Sequence, residues 1–166
     1  MIKTKIENLS LRFAEEKDIP LIFSLIKELA VYEKLLDQVT VNENMLQRYL
    51  FGAQKYAEVI IAEYDNEPAG YALFFHNYST FVGKPGIYLE DLFVKPEFRG
   101  KGIGKTLLTY LAKLSVERDC GRFEWVVLDW NEPSIEFYKS LGAKAKDEWI
   151  IYRLEDDSLR NLADKF

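Results

Sequence analysis

The stretch Arg99-Gly100-Lys101-Gly102-Ile103-Gly104-Lys105-Thr106 decides the fold through what stands on either side of it. Before it, Ile87 to Val94 is an apolar, β-prone run. After it, Ile103, Leu107, Leu108, Leu111 and Leu114 recur at helical spacing, and Phe123 to Leu128 suits a buried strand. Strand, glycine-rich turn, helix, strand is a β-α-β crossover. A turn that opens a helix presents backbone N–H groups and the positive end of the helix dipole, which favours an anion. Two phosphate-binding patterns nevertheless fail. A P-loop needs Gly five residues before Gly104, where Arg99 stands, and the dinucleotide fingerprint counted from Gly100 and Gly102 would need its third glycine at Lys105. Read locally, the glycines serve either an anion or only the geometry of the turn.

Upstream the grammar is antiparallel. Leu9 to Glu15 reads as a first strand, and Asp18 caps a helix with Pro20 in its first turn and an apolar face of Ile22, Leu25, Ile26, Leu29 and Leu36. Thr40 and Glu43 form a capping-box pair for a second short helix that stops near Gly52. Ala57 to Tyr64 and Ala69 to Asn77, joined by Asp65-Asn66-Glu67-Pro68, read as a hairpin. Downstream, a helix runs from near Asn131 to near Gly142, and Trp149 to Leu154 supplies a last strand. The expected fold is α+β, a mixed α/β sandwich with a mostly antiparallel sheet, one parallel crossover and helices on both faces, in a single domain over residues 1–166.

Composition agrees with one globular domain: 166 residues, 48% hydrophobic, with 11 Phe, 10 Tyr and 3 Trp to fill a core. One Cys and one His remove a disulfide framework and a structural zinc site, so no metal is expected. The net charge of −5 argues against nucleic acid and for a cationic partner. The N-terminal residues lack the apolar core of a secretory signal and no window reaches the roughly 18 apolar residues of a membrane span. A cytoplasmic location, away from membranes, is the expectation.

The order Arg-x-x-Gly-x-Gly after a strand resembles the pyrophosphate-binding turn of the GCN5-related N-acetyltransferases, the GNAT family, which bind acetyl-coenzyme A. LIKELAVYEKLLDQV at 25–39, YSTFVGKPGIYLEDLFV at 78–94 and VVLDWNEPSIEFYKSLGA at 126–143 are similar to the diamine acetyltransferases of that family, in their spermidine/spermine and thialysine branches. The resemblance implies an enzyme that moves the acetyl group of acetyl-coenzyme A directly to a primary amine of a small cationic substrate: a diamine, a polyamine or a lysine-like side chain. Two alternatives stand beside it, a peptide or protein N-acetyltransferase and a non-catalytic acyl-coenzyme A-binding module. A homodimer is implied too, with Leu159, Leu162 and Phe166 in an apolar stripe at an interface or packed on their own chain.

The resemblance also implies roles. The backbone of Leu92, Phe93 and Val94 would hold the pantetheine arm. Arg99, Gly100, Lys101, Gly102, Ile103, Gly104 and Lys105 would wrap the pyrophosphate, and Asn131, Glu132, Pro133 and Ser134 would reach the pantetheine or sulfur region. Tyr138 is the implied general acid. A phenol near pKa ~10 protonating a thiolate near ~8.5 works uphill by roughly 2 kcal/mol, so donation is concerted or the hydroxyl mainly hydrogen-bonds the sulfur. The amine is harder: at pKa ~10.4 it is neutral at pH 7 only at a cost of about 4.6 kcal/mol, which desolvation and an acceptor lower. Glu90 is the implied base, direct or through water, ahead of the lone His76. Tyr32, Glu33, Phe81, Asp91, Glu124, Trp125 and Val126 are implied substrate contacts, with Phe81 in place of the family tryptophan and a further carboxylate at Asp147 or Glu148. Branch signals divide: Lys34, Ser79-Thr80 and Leu128-Asp129 resemble the thialysine type, and Glu132-Pro133-Ser134-Ile135 the polyamine type.

Overall fold

Asp65 and Asn66 both adopt positive φ, 52° and 66°, which a two-residue type I′ hairpin requires because its twist matches that of the strands it joins. In the computed structural model, which describes residues 1–166, they connect β3 (Glu58–Tyr64) to β4 (Glu67–Ser79). The turn is therefore tighter than the four residues expected, and Pro68 lies inside β4 where a register shift at Ala62/Glu63 accommodates it. The chain forms two compact units, Met1–Val126 and Val127–Phe166.

The first unit is a six-stranded sheet in the order β1 (Ile2–Lys3), β2 (Leu9–Phe13), β3, β4, β5 (Lys84–Val94), β6 (Arg122–Trp125). All neighbours are antiparallel except β5 and β6, which the glycine turn and α3 (Ile103–Glu117) connect as a parallel pair. Alternation along the strands divides the core. Val59, Ile61, Tyr71 and Phe93 pack with Ile19, Ile22, Leu25 and Leu29 of α1 (Ile19–Glu33), joined by Leu46 of α2 (Glu43–Leu46) and Leu50 from the π turn that follows. Ile60, Ala62, Ala72 and Phe74 point the other way, and α3 buries the stripe read from the sequence: Ile103, Leu107, Leu108, Leu111 and Leu114. Each such buried side chain contributes about 1.5–3 kcal/mol.

Several expectations are corrected. Lys34 takes a left-handed conformation (φ 62°) that ends α1, so Leu36 is exposed in a separate short turn instead of on the helix face. Asp18 precedes α1 without a side-chain capping bond, because its carboxylate is taken by Arg12 and the Glu15 N–H. Asn42, not Thr40, caps α2, its Oδ1 accepting from Met45 N at 3.0 Å. Strand β6 stops at Trp125, and Val126 and Val127 are exposed beyond it. Finally, Trp149 to Leu154 forms no strand; these residues are irregular and exposed except for the short turn reaching Trp149.

In the second unit, α4 (Glu132–Ser140) starts at Asn131, whose side chain accepts from Ser134 N, has Pro133 in its first turn and ends before Gly142 at φ 88°. A further helix, α5 (Asp156–Ala163), opens with a Glu155/Ser158 capping box and carries Leu159 and Leu162, both exposed.

Candidate functional site

Phe74 pairs with Leu89 and Leu73 pairs with Asp91, so Glu90 between them has no partner across the β4–β5 ladder. This is a β-bulge, which bends its strand and re-aims the side chains around it. The parallel pairing of β5 with β6 runs only as far as Leu89 opposite Trp125. From Glu90 to Val94, the outer edge of β5 therefore carries no strand partner within this sheet. Strand-like ligands bind such edges through main-chain hydrogen bonds. Leu92, Phe93 and Val94 lie on this edge.

Three carboxylates gather beside the bulge. Asp91 Oδ2 accepts a hydrogen bond from the Tyr71 hydroxyl at 2.9 Å, and Tyr71 is fully buried in the α1-side core. Burial, with the neighbouring charges of Glu90 and Glu33, pushes the Asp91 carboxyl up to about 6, against the smaller opposing effect of the Tyr71 hydrogen bond. Glu33, half-buried at the end of α1, is also raised, by burial. The Tyr71 phenol is pushed up by burial first and then by the charge of Asp91. Tyr32 precedes Glu33 on α1, and the Arg99 guanidinium stacks over its ring at 4.7 Å. Arg99 Nε also donates to the Val94 carbonyl at 3.0 Å, so this side chain ties the end of α1 to the end of β5.

The glycine turn has the geometry of an anion cradle. Gly100 and Gly102 sit at φ 78° and 79°, a region that favours glycine, and Gly102 opens α3 with no side chain capping it. A Cβ on Gly102 would lie 2.9 Å from Ile6 Cδ1, whereas one on Gly100 would meet nothing within 4 Å. Ile103 is buried, Gly104 is half-buried against Val94, and Lys105 is exposed. Lys101 Nζ lies over the Tyr64 and Phe98 rings at 4.4 and 5.0 Å. An uncapped helix start, two glycines in the left-handed region and neighbouring cations fit the pyrophosphate of acetyl-coenzyme A.

The other expected residues are placed less centrally. Trp125 stands opposite Leu89 on β6, next to the bulge, and Val126 ends the unit. Glu124 is already held: its Oε1 accepts from Asn77 Nδ2 at 2.6 Å and pairs with Arg122 Nε at 3.3 Å. Phe81 projects into solvent at the β4–β5 tip, roughly 20 Å along the strand from Asp91 at about 3.3 Å per residue. His76 shares the α3 side of the sheet with Phe74, its Nε2 3.4 Å from Arg118 Nη1, and so lies on the opposite face from Asp91. Asn131 to Ser134 and Tyr138 lie on α4 in the second unit, Tyr138 with its ring 5.6 Å from that of Phe137. Asp147 and Glu148 are exposed there, and Glu148 Oε1 pairs with Lys146 at 3.3 Å. Sequence reading missed Tyr71, because a tyrosine in the apolar run Gly70 to Phe75 carries no local sign of its partner. Only the pairing of Tyr71 with Phe93, two residues beyond Asp91, brings the two together.

No helix is long and apolar enough to cross a membrane. Known proteins resemble the chain throughout. The chain is 39% identical to a thialysine N-epsilon-acetyltransferase of Sus scrofa over 93% of its length and 97% of the relative's, and 31% identical to an L-ornithine N5-acetyltransferase of Arabidopsis thaliana over 90% and 86%. A solved integron cassette protein from the mobile metagenome of V. cholerae superposes with a TM-score of 0.79 at 27% identity, covering 94% of this chain and 98% of that one. The Acetyltransferase (GNAT) family profile matches residues 28–143, which contain the bulge, the glycine turn and α4, and the chain therefore belongs to the GNAT family of N-acetyltransferases.

Proposed function

We propose that the enzyme, a single N-acetyltransferase domain over residues 1–166, transfers an acetyl group from acetyl-coenzyme A to a primary amine of a small cationic substrate, a diamine, a polyamine or a lysine-like side chain. The observation that carries this reading is the bulge, which sets Glu90 and Asp91 next to Glu33 where the outer edge of β5 opens. The relatives named for thialysine, ornithine and spermidine or spermine point the same way, since each of those molecules offers a primary amine on a flexible chain.

Acetyl-coenzyme A supplies the activated acetyl thioester when bound. Gly100 to Lys105 and the start of α3 would hold its pyrophosphate, and the main chain of Leu92 to Val94 would hold its pantetheine arm. Asn131 to Ser134 would serve the same arm. Glu33, Glu90 and Asp91 attract the substrate ammonium. Glu90 would take its proton, directly or through water, and one N–H of Leu92 to Val94 would donate to the thioester oxygen. Tyr138 would supply a proton or hydrogen bond to the sulfur of the cofactor. The enzyme works as a homodimer in the cytoplasm, a reading supported by the exposed apolar residues Ile150, Ile151, Leu159 and Leu162 and by a single free cysteine, Cys120.

A panel of amines offered with acetyl-coenzyme A, read by thiol release, tests the reading. Turnover is expected with diamines, polyamines and lysine analogues. Faster turnover of peptide N-termini would replace it with the protein-acetylating alternative, and cofactor binding without thiol release from any acceptor would replace it with the binding module.

A further inference from the structure

Tyr71 fills a core position that a phenylalanine would fill equally well. Its hydroxyl costs folding free energy there unless it is hydrogen-bonded, and its partner is the Asp91 carboxylate. Asp91 in turn feels the charges of Glu33 and Glu90, and none of the three belongs to any ion pair of the chain. Asp91 is largely buried, Glu33 half-buried and Glu90 exposed; their like charges repel one another, and a cation beside them relieves that repulsion.

We propose that Tyr71 is a positioning residue for the acceptor amine: its hydroxyl pins Asp91 Oδ2 and leaves Oδ1 to receive an N–H of a primary ammonium. This rests on the reading of the site as an amine acceptor site. It adds that selection of the amine depends on a residue buried in the core. A primary ammonium brings three N–H donors and a compact charge, whereas a quaternary ammonium brings no donor and leaves Oδ1 without a partner.

The titratable groups that bear on Asp91 are Tyr71 from β4, Glu33 from α1 and Glu90 beside it. Burial and the two glutamates raise it, and the Tyr71 hydrogen bond lowers it. Removing that hydrogen bond moves the Asp91 titration to higher pH, so more of the carboxyl is protonated near pH 6 and fewer molecules can accept the ammonium.

Two measurements test the proposal. In the first, Tyr71→Phe is compared with the wild type over pH 5 to 9. The acid limb of kcat/KM for the amine moves to higher pH and the amine KM rises at least five-fold at pH 6, while the KM for acetyl-coenzyme A stays put. A role in packing alone would leave the acid limb where it was, which overturns the proposal. In the second, the carbon-13 resonance of the Asp91 carboxyl, assigned through Asp91→Asn, is titrated in the wild type with and without 1,4-diaminobutane and with a tetramethylammonium control. Its midpoint falls with the diamine and not with the control. An Asp91 midpoint that ignores the diamine overturns the proposal even where Tyr71→Phe fails to fold. The amine-panel assay separates the two readings: thiol release with an unresponsive Asp91 removes only the role given to the Tyr71–Asp91 pair, and a responsive Asp91 without thiol release removes only the catalytic function.

Discussion

Arg12 grips Asp18 with both ends of its guanidinium, Nη1 to Oδ2 at 2.6 Å and Nη2 to Oδ1 at 2.9 Å, while its Nε donates to Glu63 Oε1 at 2.7 Å. The pair fixes the passage from β2 into α1, the helix that carries Tyr32 and Glu33. Asp18 is held below the usual carboxylate range, chiefly by its hydrogen bonds with Arg12, with a further one from the Glu15 N–H. Its folded value is depressed, so the stabilisation is present above the unfolded value of about 4 and is lost as pH falls through the folded one. Asp18→Asn is expected to cost about 2–3 kcal/mol at pH 7 and progressively less as pH falls below about 4, because the Arg12 charge is then left with one carboxylate and a weaker neutral partner. Urea midpoints across that pH range check it, and a cost independent of pH would refute it.

Asp91 has the opposite sign. Its carboxyl is raised to about 6, so the folded state disfavours the charge relative to the unfolded chain, and stability from this group declines as pH climbs from about 4 to about 6. Asp91→Asn removes the charge and keeps an acceptor for the Tyr71 hydroxyl. The variant should be more stable than the wild type at pH 7.5, by about 1–3 kcal/mol, while amine turnover falls at least a hundred-fold. Thermal unfolding at pH 7.5 and pH 4.5 checks the sign: the gain belongs to the higher pH.

At Gly102, φ of 79° and the Ile6 side chain both oppose a Cβ. Gly102→Ala should cost about 1–2 kcal/mol of stability and weaken acetyl-coenzyme A binding by at least ten-fold, because the helix start and its N–H groups shift together. Calorimetric titration with coenzyme A measures the second effect directly.

Tyr138→Phe is expected to lower kcat ten-fold or more with little change in cofactor affinity, since only the proton at the departing sulfur is lost. Unchanged turnover would end the acid assignment. Glu90→Gln should raise the amine KM or displace the pH profile; if neither moves, the base is elsewhere.

The exposed apolar residues of the second unit lead to a prediction about assembly. Leu159→Lys together with Leu162→Lys, on α5, should shift the protein from dimer to monomer in sedimentation velocity, with helix content retained. A wild type that sediments as a monomer removes the dimer reading.

Much of this was legible beforehand because the signals are periodic. The stripe Ile103 to Leu114 repeats at helical spacing and became α3; the alternating runs on either side of Asp65-Asn66 became β3 and β4; the glycines at 100 and 102 stand where positive φ is required. The readings that failed lacked periodicity or depended on competing partners. Leu36 continued a helical pattern that Lys34 had already ended, Asp18 gave its carboxylate to Arg12 instead of to a helix start, and Trp149 to Leu154 looked like a strand although the second unit pairs it with nothing.

The amino-acid sequence by itself determined the order of the elements, the glycine turn and the family, since these depend on residue type and spacing along the chain. Tertiary structure decided the bulge at Glu90, the placing of His76 on the far side of the sheet and the Tyr71–Asp91 bond. Those follow from register, and register is a property of two strands at once: a one-residue shift in the pairing of β4 with β5 would send Tyr71 and Asp91 to opposite faces.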